Sequence, residues 1–161
     1  MSGRSRATSI DLMSYHHVRR ELPYSADQLF DLVGDVEKYP EFIEWFVAVR
    51  ILHRSSNVLD VEQIVRFKGL HAQFVTRATL ERPTRIAIVS HDRPFETFEQ
   101  IWQFRSAGPQ RTTVEYETKV ELHSPILEHA MEALFNEAKI ARKTVDAFEH
   151  RARQVYRKRD S

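Results

Sequence analysis

From Val47 to Leu122 the chain alternates apolar and polar residues, broken only by turn-forming clusters, and after Ser124-Pro125 the apolar spacing changes to three and four. A chain patterned this way has few options. The breaks are legible one by one: Arg54-Ser55-Ser56-Asn57, Lys68-Gly69, Arg82-Pro83-Thr84, Asp92-Arg93-Pro94 and Ala107-Gly108-Pro109. Ala72, Phe74, Thr76, Ala78 and Leu80 share one face of a strand whose other face carries His71, Gln73, Arg77 and Thr79. Phe98, Gln100, Trp102 and Phe104 line one side of a later strand, and Val114, Tyr116, Thr118 and Val120 alternate with Glu115, Glu117, Lys119 and Glu121 in the last one. Strands joined by short turns, with one face apolar and one wet, predict a meandering antiparallel sheet. Leu127, Ala130, Met131, Leu134, Phe135, Ala138, Ala141, Val145 and Phe148 then predict one amphipathic helix from Pro125 to roughly Arg153. It is the one element long enough to cover the sheet.

Ahead of the alternation, Tyr15 to Glu21 reads as a first strand, followed by two short helices in tandem. Ser25 stands at an N-cap position with Gln28 completing a capping box, Leu29, Phe30, Leu32 and Val33 form an apolar face, Gly34 ends the first helix and Asp35 opens the second. The expected fold is therefore α+β of the helix-grip type: a curved antiparallel sheet of about seven strands wrapped around a long C-terminal helix, with the short helices closing one mouth. Such packing leaves a hollow between sheet and helix.

Residues 1–14 are expected to be a disordered lead-in, 15–153 one domain and 154–161 a basic tail. Cysteine is absent, which excludes disulfides, thiolate metal sites and cysteine nucleophiles. The 24 basic and 23 acidic side chains give a net charge of +1, so no global field selects a polyanionic partner. No apolar run approaches the roughly 18 residues of a membrane span and no signal-peptide core precedes the first strand, so the expected location is cytoplasmic. The eight histidines include the adjacent pair His16-His17, which points to opposite faces of a strand, and none of them supplies metal-ligand spacing.

Ser25-Ala26, Leu29-Phe30-Asp31-Leu32-Val33, Asp35-Val36-Glu37 and Tyr39-Pro40-Glu41-Phe42 with Trp45 together resemble the signature of the coenzyme Q-binding proteins, a branch of the START-like, polyketide cyclase superfamily. Gly69-Leu70, Phe74-Val75-Thr76-Arg77, Pro94-Phe95 and Trp102-Gln103-Phe104 follow in the order and spacing of that branch, and the similarity runs from about Tyr15 to Arg153. The resemblance implies a carrier of ubiquinone or a polyprenylated precursor that supports respiration and needs no other cofactor. A peripheral position at the inner membrane, on the matrix side in a eukaryote, follows from the same likeness. The bacterial branch also contains ribosome-association toxins, which makes the ribosome the alternative partner. Phe46 stands where many bacterial relatives carry Cys, and His71 to Gln73 departs from the usual acidic and Arg pairing.

The candidate ligand-binding set is Phe30, Val33, Phe42, Trp45, Phe46, Phe67, Leu70, Phe74, Phe95, Phe98, Gln100, Trp102, Phe104, Tyr116, Met131, Leu134 and Phe135. Aromatic stripes at structural spacing also make ordinary dry cores; the surplus of rings over what one helix fills is the argument for a lined cavity. A quinone head would stack on a ring and take hydrogen bonds from Gln63, Gln100, Tyr116 or Arg77, the last on the predicted wet face. Cavity chemistry of the cyclase or dehydratase kind needs inward acids and bases, whereas Asp60, Glu62, Glu99, Glu115, Glu117 and Glu121 fall on the outward phase, so a non-enzymatic protein is expected. Arg151, Arg153, Arg157, Lys158 and Arg159 either complement the helix dipole or dock the protein on anionic lipid or rRNA.

Overall fold

The alternating stretch forms the expected sheet, seen in a computed structural model that describes residues 14–134 and 137–156, the side chains of 131–134 excepted. Strands β1 (Ser14–Leu22), β2 (Phe46–Arg54), β3 (Val58–Phe67), β4 (Leu70–Glu81), β5 (Arg85–Val89), β6 (Phe95–Gly108) and β7 (Arg111–Leu122) are joined by helix α1 (Ala26–Gly34) and a 3₁₀ helix (Val36–Glu41), and are followed by α2 (Pro125–Leu134) and α3 (Glu137–Tyr156). The seven strands lie in the order β1-β7-β6-β5-β4-β3-β2, every pair antiparallel. The first two strands thus occupy opposite edges. Only α1 and the 3₁₀ helix connect them, so these short elements cross the molecule. Register shifts beside Phe46 and Ile51 in β2, and beside Phe95 and Ser106 in β6, bend the sheet.

Local chemistry explains the joints. At the β3–β4 turn Lys68 (φ 46°) and Gly69 (φ 85°) both adopt left-handed backbone, the geometry of a two-residue hairpin link. The capping box forms as the sequence predicts: Ser25 Oγ accepts the Gln28 N–H at 3.1 Å while Gln28 Oε1 accepts the Ser25 N–H at 2.9 Å. The second short helix is 3₁₀ rather than α, with Pro40 inside it and no side-chain cap from Asp35. A proline in its last turn removes a backbone donor that an α-helix would need.

The core lies between the concave face and α3. Ala141, Val145, Phe148 and Ala152, spaced by four, three and four, present one buried stripe to Trp102, Phe104, Tyr116 and their neighbours. The helical stretch differs from expectation at its start. Leu127 and Ala130 are exposed and Glu128 is the buried residue, at 1 % exposure. Its carboxylate accepts the Leu122 N–H at 2.9 Å, and with about 100° between successive residues this turns both apolar neighbours outward. At the other extreme α3 continues to Tyr156. Residues 135–136, Arg157, Lys158 and Arg159 lie outside the described residues.

Candidate functional site

On the concave face, Val49 of β2, Val61 and Gln63 of β3, Thr76 and Ala78 of β4, Ile88 of β5 and Gln100 of β6 meet Val36 and Tyr39 of the 3₁₀ helix and Phe46 at the start of β2 around a hollow of about 30 Å³. That is room for about one water, while a cavity that holds a benzene ring is about 150 Å³. The walls carry no charged side chain. Thr76, 3 % exposed, donates to Gln63 Oε1 across 3.5 Å, and Gln100 Nε2 donates to the Tyr116 hydroxyl at 2.8 Å. Gln63 and Gln100 thus bring two side-chain amides to the wall of the hollow.

A node of rings closes the hollow towards α3. Tyr39 meets Phe46 and Phe148 edge-on, each at 5.3 Å between centroids, and Phe42 at 6.1 Å. Phe148 stands edge-on to Phe42 at 5.2 Å and to Trp102 at 5.1 Å. Each such pair adds about 0.5–1.5 kcal/mol beyond burial. The Tyr39 hydroxyl donates to the Val33 carbonyl, tying the 3₁₀ helix to α1. Burial pushes the Tyr39 phenol well above the ordinary tyrosine pKa, helped by Tyr116 and Asp35. Burial does the same to Tyr116, offset in part by hydrogen bonds with Thr118 and Thr144. Both rings stay neutral across physiological pH.

Of the residues selected from the sequence, Phe46 and Gln100 line this hollow, and Phe42, Trp102 and Tyr116 stand in or directly behind the ring node. The others are placed elsewhere. Phe74, Phe95 and Phe98 form a separate triangle with centroids 4.8 to 5.3 Å apart. Trp45 stacks on Phe67 at 5.2 Å near the β3–β4 turn. Phe30 meets Phe104 edge-on at 6.1 Å, under the Arg82 guanidinium, and Val33 is core. Leu70 is no wall residue: it sits beside the hairpin turn, 48 % exposed. The side chains of Met131, Leu134 and Phe135 lie outside the described ones. Arg77 is on the wet face as expected, where its Nε donates to Asp60 at 2.8 Å and holds that carboxyl below its usual range.

Of the expected basic docking cluster, Arg151 and Arg153 lie among the described residues. Arg151 bonds Glu41 at 2.9 Å and lies over the Phe42 ring at 5.1 Å, so it fastens α3 to the 3₁₀ helix and is not available as a surface cation. Arg153 pairs with Glu149 within its own helix at 3.3 Å. Three polar features escaped the sequence reading as site elements. Thr76 was visible on the apolar phase of its strand, and a polar residue in that phase is the signal. Tyr39 was grouped with its neighbouring rings, and nothing local marked its hydroxyl as a brace. Glu128 breaks the outward rule for acids: it is buried, and its carboxylate reaches back to the Leu122 N–H at the end of β7.

Comparison with known proteins places this geometry. Residues 22–149 match the family described as polyketide cyclase / dehydrase and lipid transport. The chain is 34 % identical over 142 residues to the ribosome association toxin RatA of Pseudomonas aeruginosa, covering 87 % of this chain and 97 % of that one. It is 26 % identical over 139 residues to the mitochondrial coenzyme Q-binding protein COQ10 homolog B of Xenopus laevis, covering 84 % of this chain and 56 % of the relative. A START superfamily protein from Mycobacterium smegmatis superposes with a TM-score of 0.75 at 21 % identity, covering 89 % of this chain and 98 % of that structure. With a curved seven-stranded sheet gripping its C-terminal helix and a family match over most of its length, the chain belongs to the polyketide cyclase / dehydrase and lipid transport family.

Proposed function

We propose that the protein binds and delivers ubiquinone or a polyprenylated quinone precursor without turning it over. The observation that carries this reading is the uncharged hollow, walled by aromatic and aliphatic side chains and furnished with Gln63, Thr76 and Gln100. A benzoquinone has two carbonyl acceptors on a flat apolar ring, and side-chain amides beside edge-on rings match that chemistry. The likeness to a coenzyme Q-binding relative supports the same class of ligand. Acid-base turnover draws no support from walls whose only ionisable group, Tyr39, is held neutral. The hollow is several times smaller than a quinone ring requires, so binding entails displacement of the 3₁₀ helix and Phe46.

A second reading is favoured by the RatA relative, whose whole length this chain nearly spans: a ribosome-binding protein that interferes with subunit association. Extraction of the purified protein with organic solvent, followed by mass spectrometry, separates the two. A stoichiometric quinone or prenylated precursor is the expected result. Protein that yields no quinone and co-sediments with ribosomal subunits would replace the carrier with the ribosome reading.

A further inference from the structure

The two ends of the sheet are finished differently. Because all neighbours are antiparallel, β3, β5 and β7 finish at the same end where β4 and β6 begin, which gathers the β3–β4 turn, the β5–β6 loop and the β7–α2 junction there. Three large apolar side chains stand out from this end: Leu70 is 48 % exposed, Leu127 46 % and Ile126 80 %. The buried Glu128 bond to the Leu122 N–H holds α2 with Ile126 and Leu127 outward, so their exposure is built into the fold. Single exposed apolar residues are ordinary; three on neighbouring tips at one end are a surface feature.

Charge is arranged around them. Arg66 stands at the end of β3, Lys68 in the hairpin turn and Arg93 in the β5–β6 loop, and the run from Arg66 to His71 contains no acid. The acids nearest in sequence are engaged: Glu62 pairs with Arg50 at 3.0 Å, Asp92 accepts the Val75 N–H at 2.7 Å, Glu96 pairs with His123 at 2.9 Å, and Glu128 is buried. Leu70 and the α2 start are carried by strands three places apart in the sheet. At about 4.8 Å per place the tips spread over roughly 14 Å, a plane and not a point.

We infer that this end is a membrane-docking face. Leu70, Ile126 and Leu127 enter the interfacial layer of a bilayer while Arg66, Lys68 and Arg93 meet anionic headgroups. The purpose of such docking rests on the carrier reading, since a polyprenyl ligand must leave and re-enter lipid; the physical argument does not. It moves the contact away from the C-terminal end, where Arg151 and Arg153 are paired.

Flotation with quinone-free vesicles tests it, using phosphatidylcholine alone and phosphatidylcholine with added phosphatidylserine. Wild-type protein floats with the anionic vesicles. The variant Leu70→Ser/Ile126→Ser/Leu127→Ser loses more than about tenfold in vesicle affinity, and replacing Arg66, Lys68 and Arg93 by Ser costs about fivefold for each cation. Arg153→Ser with Arg157→Ser, Lys158→Ser and Arg159→Ser floats as wild type. Melting followed by circular dichroism checks the fold, and Ile126→Ser alone repeats the test if the triple variant unfolds. Vesicle binding that survives the tip substitutions, binding that is lost with the tail, or wild-type protein that ignores anionic vesicles and pellets with ribosomal subunits would overturn the docking face. Extracted quinone is scored separately, so a failure to dock and a failure to carry are told apart.

Discussion

The end of the sheet where α1 begins and α3 ends is bolted; the end with the β3–β4 turn and α2 is open. At the bolted end Thr112, with no exposed surface, donates to the Tyr24 carbonyl at 2.7 Å. The Tyr156 hydroxyl donates to the Gln28 carbonyl at 2.8 Å, and the capping box fixes the start of α1 between them. The Thr112 and Tyr156 bonds each join segments far apart in sequence. At the open end the long-range braces lie beneath the tips, such as the Val75 N–H to the Asp92 carboxylate and the His123 N–H to the Pro94 carbonyl, and the tips themselves present apolar side chains to solvent. The difference teaches where the molecule invests stability and where it leaves surface for contact: buried donors and acceptors are costly to disturb, exposed side chains are not. The hollow lies between the two, under the 3₁₀ helix.

The largest effect is expected midway along the sheet, in the core both ends share. Trp102 is 3 % exposed and touches Phe104, Tyr116 and Phe148. Trp102→Ala should cost about 3–5 kcal/mol in urea unfolding. A cost below 1 kcal/mol would mean the ring is not part of a packed core. Next, Thr112→Val removes the buried hydroxyl that donates to the Tyr24 carbonyl and should cost about 1–3 kcal/mol. If that substitution were neutral, the bolted end would owe its order to packing alone and the contrast would weaken.

Alkaline pH probes the node between the ends. Unfolded tyrosine ionises near pH 10, whereas burial raises Tyr39 and Tyr116 above it. The stability from keeping these phenols neutral is fully present below about pH 10 and is lost as pH climbs towards the folded values, because the unfolded chain releases protons that the folded chain retains. The urea midpoint should therefore fall as pH rises above about 10, and less steeply in Tyr116→Phe. An identical slope in the variant would remove Tyr116 from this account. The smallest effect belongs to the open end: Leu70→Ser should change stability by no more than about 0.5 kcal/mol by the same urea measurement. A larger loss would show that the tip is structural.

How much of this was legible in the chain follows from the range of the forces involved. Strand alternation, the hairpin at Lys68-Gly69 and the capping box at Ser25 are local, and local spacing reports them. The stripe of Ala141, Val145 and Phe148 is likewise periodic. The inner face of β6 was correct down to Gln100, yet which inward residues border empty space depends on how rings from the 3₁₀ helix, β2 and α3 interlock. That depends on three-dimensional packing, and alternation does not encode it. Arg151 shows the same limit for charge: in sequence it belongs to a basic cluster, and in space Glu41 and the Phe42 ring claim it. Leu127 was assigned inward by spacing, and one buried carboxylate at Glu128 reversed the assignment.

The central claim is that a quinone head enters beneath the 3₁₀ helix, and hydrogen exchange with and without ubiquinone tests it most directly. Val36 to Phe46 should open at a free energy well below global unfolding in the empty protein, because the small hollow must widen there to admit a ring. Added ubiquinone should slow exchange in that segment and beside Gln63, Thr76 and Gln100, while the amides of α2 are left unchanged. Exchange in Val36 to Phe46 that is as slow as the global core without ligand, and unaltered by ubiquinone, would mean that Tyr39, Phe42 and Phe46 form a permanent plug and that the hollow is packing space only.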